Sequence, residues 1–287
     1  MKKILFCVTI ATLFICSCQG NTKKTQADFE QSEHKVMPHW YAKDSLFFSK
    51  LEPAEDVIEC AKSFIDVPYK ASTLEVGDDF YPVINFEAFD CTTFVENVLV
   101  LASLDSLTED SFVQKLTEFR YRSGKPLGYS SRLHYFSEWV QVNQDKGLIE
   151  DITQKLGGVS VTKPIDFMST HRQSYPALLK DDKNYNKILE IEKNLSKQTY
   201  YVVPKTTLDM HIDAIKDGDV IALATTIKGL DYVHLGFAIW VDNRLHLLHA
   251  SSKAQKVVIS EKDLVDYVTH RSNISGVTVL RLRKDDE

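Results

Sequence analysis

The chain has 287 residues, 44% hydrophobic and 26% charged, an ordinary globular composition with enough length to bury a substantial core. Acidic residues number 40 against 34 basic ones, and the net charge of −6 excludes a nucleic-acid surface as the main business of the protein. Five cysteines are present, but Cys7, Cys16 and Cys18 crowd the N-terminus and only Cys60 and Cys91 lie in the body. That distribution excludes a multi-disulfide scaffold and a four-cysteine zinc site.

Met1-Lys2-Lys3 is a short basic start, and Ile4 to Ile15 is almost wholly apolar. Such a stretch is too short to span a hydrocarbon core of ~30 Å and fits the apolar part of a secretory signal. Ile15-Cys16-Ser17-Cys18 resembles a bacterial lipobox, with cleavage after Ser17 and lipid on Cys18. The expected layout is a signal over 1–17, a polar tether over 18–33 and a single domain over 34–287. The expected address is the outer membrane, facing the periplasm.

In the body, helical spacing predicts a helix over Pro53–Ile65, with Cys60 as a small core residue. Residues 91–104 form the most apolar helix, covered nearly all round and therefore buried. Further helices are expected over 109–121, 132–144 and 184–195. The C-terminal third turns to strands. Asp219–Ala224, Val233–Val241, Leu245–Ala250 and Gly276–Leu282 are β-rich runs, with a turn at Asp242-Asn243. Helices first and antiparallel strands last predict an α+β domain. Residues 120–215 would be an elaboration between the two parts.

Cys91 opens the buried helix behind Asp90. A thiol there faces unsatisfied backbone N–H groups and the positive end of the helix dipole, which favour the thiolate. Taken alone, Cys91 would read as a core cysteine. Two histidines change that. His234 begins an apolar strand and His249 ends the returning one, so a turn at Asp242-Asn243 brings both to the same end of a hairpin. Gly236 lets a neighbouring backbone or a substrate approach closely. His234 is the expected base and His249 its orienter. His246, three residues before His249, falls on the opposite strand face and is kept as the reserve.

Asp90-Cys91, His234-Leu235-Gly236 and His249-Ala250-Ser251 together resemble the NlpC-type peptidoglycan hydrolases. The chain departs from the common pattern. The glycine pair after Pro68-Tyr69 is missing, Cys91 precedes Thr-Thr-Phe instead of Ser-Gly-Phe, and the interval between the histidines is longer. These departures resemble a separate branch, the N-acetylmuramoyl-L-alanine amidase-like family. Its marks here are Pro68-Tyr69 with Thr73-Leu74-Glu75, Asp90-Cys91-Thr92-Thr93-Phe94-Val95-Glu96, and Ser131-Arg132-Leu133-His134-Tyr135.

The resemblance implies a papain-like cysteine-peptidase core and cleavage of the amide between muramic-acid lactyl and L-Ala, with anhydro-muropeptides preferred. It implies a role for Tyr69 at the substrate or the oxyanion. It implies no metal or cofactor, a peptidoglycan fragment as partner, the membrane through the lipid anchor, and a monomer. The alternatives are a γ-D-glutamyl-diaminopimelate endopeptidase on the same fold, or a non-catalytic wall-binding lipoprotein.

Residues 120–135 are rich in Arg and Tyr within an acidic chain. Arg clamps carboxylates, and Tyr packs on sugars while keeping a hydroxyl. Arg122, Tyr129, Arg132 and His134 are therefore expected at the substrate, with Thr73, Glu75 and Asp90 from the motif segments. Structural salt bridges for the arginines and core positions for the tyrosines are the competing expectation.

Overall fold

The computed structural model describes residues 39–40, 51, 54, 56–77 and 79–283. The leader, the tether and Cys18 lie outside the described residues, as does Pro53.

The first helix, α1, runs Val57–Ser63, with Asp56 as its N-cap accepting from the Ile58 N–H at 2.8 Å. The helix expected from Pro53 thus starts later, where a carboxylate satisfies an orphan donor. Cys60 is buried in it, as expected. Helix α2, Cys91–Ala102, is buried from Thr93 to its end. Its cap is reciprocal: Asp90 accepts the Thr93 N–H at 2.8 Å and the Thr93 hydroxyl oxygen accepts the Asp90 N–H at 3.1 Å. A cap of this kind contributes about 1 kcal/mol and fixes where the helix begins. Helix α3 spans Glu109–Arg120.

Helix α4 spans Phe136–Asp145, four residues later than the 132–144 expectation. The apolar spacing is right, but Arg132 is extended and bridges to Tyr121, with Leu133 donating its N–H to the Arg120 carbonyl at 2.9 Å. Residues 132–135 are held as a strap, and the helix begins only after it. Helix α5, Asp182–Leu195, matches its expectation within two residues, and α6, Leu264–Thr269, is a short helix that the periodicity does not reveal.

Apart from a short parallel pair, His39–Trp40 with Val83–Ile84, the described strands form an eight-stranded antiparallel sheet. They are β1 Ile149–Asp151, β2 Val159–Val161, β3 Tyr200–Pro204, β4 Val220–Thr225, β5 Tyr232–Val241, β6 Arg244–Ser251, β7 Lys256–Ile259 and β8 Ile274–Leu282. The order is β2-β3-β8-β4-β5-β6-β7, with β1 also on β8. The mixed helix and antiparallel-sheet architecture agrees with the α+β expectation.

Strand β4 is buried at every position. Val220, Ala222 and Ala224 join the core shared with α1–α4, whereas Ile221 and Leu223 join a second core with Leu264 and Val268 of α6. A strand covered on both faces reads as a continuous apolar run, which is what residues 219–224 show. The middle segment has its own cluster, built from Tyr129, Tyr135, Ile165, Met168, Leu178, Ile188 and Leu195. The β5–β6 turn is the two-residue Asp242-Asn243, with φ of 48° and 60°. Positive φ at both positions matches the twist of a tight hairpin, and Asx residues tolerate it best after glycine.

Candidate active site

The N-terminus of α2 carries Cys91, and the core packing of Phe94 on Phe237 (ring centroids 5.5 Å apart) seats the helix on β5. The Cys91 sulfur accepts the backbone N–H of Leu235, the residue after His234. On the hairpin, His234 Nε2 and His249 Nδ1 are 2.6 Å apart. Gly236 sits where β5 passes β6. A Cβ there would lie 2.8 Å from the Leu248 carbonyl oxygen and 2.9 Å from His249 Cβ. His246 is elsewhere, bonded through Nδ1 to the Ser260 carbonyl at 2.8 Å. Of the two, His249 is the imidazole that contacts His234.

Charge at the site differs from the helix-terminus expectation. Burial, followed by the Asp90 carboxylate, pushes the Cys91 thiol up to about 12. The Leu235 N–H, the Thr92 hydroxyl and the Cys91 N–H pull the other way but are outweighed. Burial holds His234 down to about 3, with His249 and Arg271 adding to the effect, and holds His249 down to about 4, with Arg271 adding again. At neutral pH the resting site is a neutral thiol beside two neutral imidazoles. Because a neutral imidazole has one N–H, a His234 that is to take the thiol proton at Nδ1 donates Nε2–H to His249 Nδ1.

Tyr69 is held in a parallel bridge to Phe89, the residue before Asp90, and burial pushes its hydroxyl up, with Asp90 adding to the effect. A cleft of about 260 Å³ runs past Asp90 and Thr92 and is lined by Glu75, Arg132, His134 and Tyr175 among others. Arg132 donates to Glu75 at 2.7 Å and to Asp79 at 3.1 Å. His134 donates Nε2–H to the Tyr129 carbonyl at 2.8 Å, and burial beside Arg132 holds its ring neutral.

Three of the residues expected at the substrate do not line this cleft. Thr73 is buried and gives its hydroxyl and N–H to Asp90, at 2.9 and 3.2 Å. It braces the helix cap. Tyr129 is buried with its hydroxyl on Glu75 at 3.2 Å. Arg122 forms a two-pronged pair with Glu138, at 2.6 and 3.0 Å. Sequence reasoning missed the Glu96–Arg120 pair, 2.6 Å apart and almost fully buried, with Glu96 also lining the cleft. It also missed Tyr267, whose ring stands edge-on to His249 at 5.6 Å, and Arg271 stacked on that tyrosine at 3.7 Å. Neither has a spacing signal: Tyr267 is the one aromatic residue of the short α6.

A family model described as N-acetylmuramoyl-L-alanine amidase-like matches residues 59–277. The chain belongs to that family. Among solved structures it is similar to an N-acetylmuramoyl-L-alanine amidase from Bacteroides uniformis. They share 37% identity at a TM-score of 0.77, covering 80% of this chain and all of that one. A Bacteroides fragilis protein whose name suggests a xylanase is 40% identical, with a TM-score of 0.76 over 78% of this chain and all of that one. A Legionella pneumophila protein is 27% identical, with a TM-score of 0.62 over 84% and 92% of the two chains. No curated protein sequence is significantly similar. Membership of the amidase-like family agrees with the motif resemblance carried by residues 68–135.

Proposed function

We propose that this amidase-like protein is a thiol-dependent peptidoglycan hydrolase with a papain-like core. It cleaves the amide between muramic-acid lactyl and L-Ala, with anhydro-muropeptides as substrates. The observation that carries the reading is the His234–His249 pair, 2.6 Å apart across β5 and β6, with the Leu235 N–H next to His234 meeting the Cys91 sulfur. His234 Nδ1 takes the Cys91 proton as the sulfur attacks the carbonyl carbon, a general-base step that needs no preformed thiolate. The Cys91 N–H and the Tyr69 hydroxyl donate to the oxyanion. The imidazolium then gives its proton to the leaving L-Ala nitrogen. Water, deprotonated by the same ring, hydrolyses the thioester.

The xylanase name of one neighbour suggests a second chemistry, but glycoside hydrolysis uses two carboxyls flanking one bond. In this cleft Asp90 caps α2, Glu75 holds Arg132 and Glu96 holds Arg120. Each carboxylate is already committed, which favours the thiol reading.

The test is mass spectrometry on a defined anhydro-muropeptide. Intact stem peptide plus free anhydro-disaccharide supports the amidase; a shortened muropeptide means endopeptidase on the same fold. Cys91→Ala retaining near-wild-type turnover overturns the nucleophile assignment. Lipidation at Cys18 and an outer-membrane, periplasm-facing address are part of the same proposal. Cys18→Ser released into the soluble fraction supports them, and unchanged membrane association of that variant refutes them.

A further inference from the structure

Arginines in this protein are mostly committed. Arg120 holds Glu96, Arg122 holds Glu138, Arg132 holds Glu75 and Asp79, Arg172 holds Asp182, Arg244 holds Asp263 and Arg281 holds Asp219. Arg271 pairs with no carboxylate among the described residues, although it is half-buried and beside the imidazole pair. Its position is fixed. Its N–H donates to the Val268 carbonyl at 3.3 Å, and its own carbonyl accepts from Lys205 Nζ at 3.0 Å. Its guanidinium lies 3.7 Å from the Tyr267 ring centroid, and that ring stands edge-on to His249.

A guanidinium stacked on a ring keeps its plane fixed and its N–H edges available. Here the Tyr267 hydroxyl takes only part of that capacity. Among the described residues no carboxylate takes up the remaining N–H groups, and the partly exposed guanidinium leaves them open to an incoming anion. Arg132 is no substitute, because Asp79 and Glu75 already hold it. Resting on the amidase reading above, we propose that Arg271 is a substrate-binding residue that receives a carboxylate of the leaving peptide. That carboxylate lies within a residue or two of the scissile amide. Its fork geometry suits a carboxylate bidentately. Arg271 then selects substrates whose peptide is acidic next to the cut, and Tyr267 holds the fork at the correct angle beside His249.

Two anhydro-muropeptides test this, identical except that the first acidic residue of the peptide carries a free α-carboxylate in one and a carboxamide in the other. Initial rates are measured for the full-length wild type, Arg271→Gln and Arg271→Lys. Wild type should prefer the carboxylate by about 10- to 100-fold in kcat/KM, mainly through KM. Arg271→Gln should lose that preference by slowing on the carboxylate substrate alone, and Arg271→Lys should keep part of it. Equal wild-type rates on both substrates overturn the proposal. So does an equal slowing of Arg271→Gln on both, which would make Arg271 a support for His249 only. If wild type releases peptide from neither substrate, the amidase reading falls and this proposal falls with it.

Discussion

Acidification offers a direct reading of the buried imidazole pair. His249 is 3% exposed, and burial beside Arg271 holds it down to about 4 against an ordinary 6.5. Between those two values the unfolded chain carries a proton on His249 and the folded chain does not. The unfolded state therefore binds more protons, and stability rises with pH through this window and is lost as pH falls. From about pH 7 to about pH 5 the unfolded histidine becomes almost fully protonated while the folded one stays neutral. At 1.36 kcal/mol per pKa unit, that difference amounts to about 2 kcal/mol. Carboxylates titrate over the same range, so the comparison is between wild type and His249→Gln, which keeps an acceptor for His234 but cannot titrate. Urea unfolding at the two pH values should show wild type losing about 2 kcal/mol more than the variant. Equal losses refute the argument that this ring is held neutral by its surroundings.

The same depressed values predict a flat kcat/KM from about pH 5 to about pH 9, and an acid limb near the ordinary histidine value of 6.5 contradicts the neutral resting pair. Arg120→Met strands Glu96, 2% exposed, and should destabilise by about 3–5 kcal/mol in denaturant titration. A loss under about 1 kcal/mol would mean that Glu96 simply takes up a proton. Gly236→Ala places a methyl against the Leu248 carbonyl and His249, so it should reduce stability by about 1–3 kcal/mol and turnover by more than stability explains. Wild-type turnover in that variant shows that the strands can part without disturbing the histidines.

Much of this site is local in the sequence and therefore legible there. Asp90 and Thr93 announce a helix start by their own spacing. Asp242-Asn243 announces a tight turn, and the turn alone brings His234 and His249 to one end. What was not legible depends on partners distant in the chain. Arg122 and Arg132 look equivalent in the sequence, yet one finds Glu138 and the other finds Glu75 and Asp79 beside the cleft. The helix alone would acidify the Cys91 thiol. Burial under elements from the far end of the chain outweighs that local effect. The α4 boundary moved because residues 132–135 are tied to Tyr121 and Arg120, a constraint that apolar periodicity does not contain. Arg271 lies in a short loop after a six-residue helix, with no pattern to single it out.

The turn at Asp242-Asn243 also acts as a ruler. Side chains on a strand alternate between faces, so one residue gained or lost there would send His249 to the opposite side of the sheet and bring Leu248 or Ala250 in its place. Residues 153–215 carry no such counting constraint on the histidine pair. Natural length variation among proteins that keep this chemistry should therefore gather in the middle segment, and where the interval between His234 and His249 differs from that of the common NlpC-type pattern, the difference should be an even number of residues. A working relative with an odd-numbered insertion in that interval would have to absorb it in a bulge before its two imidazoles could meet.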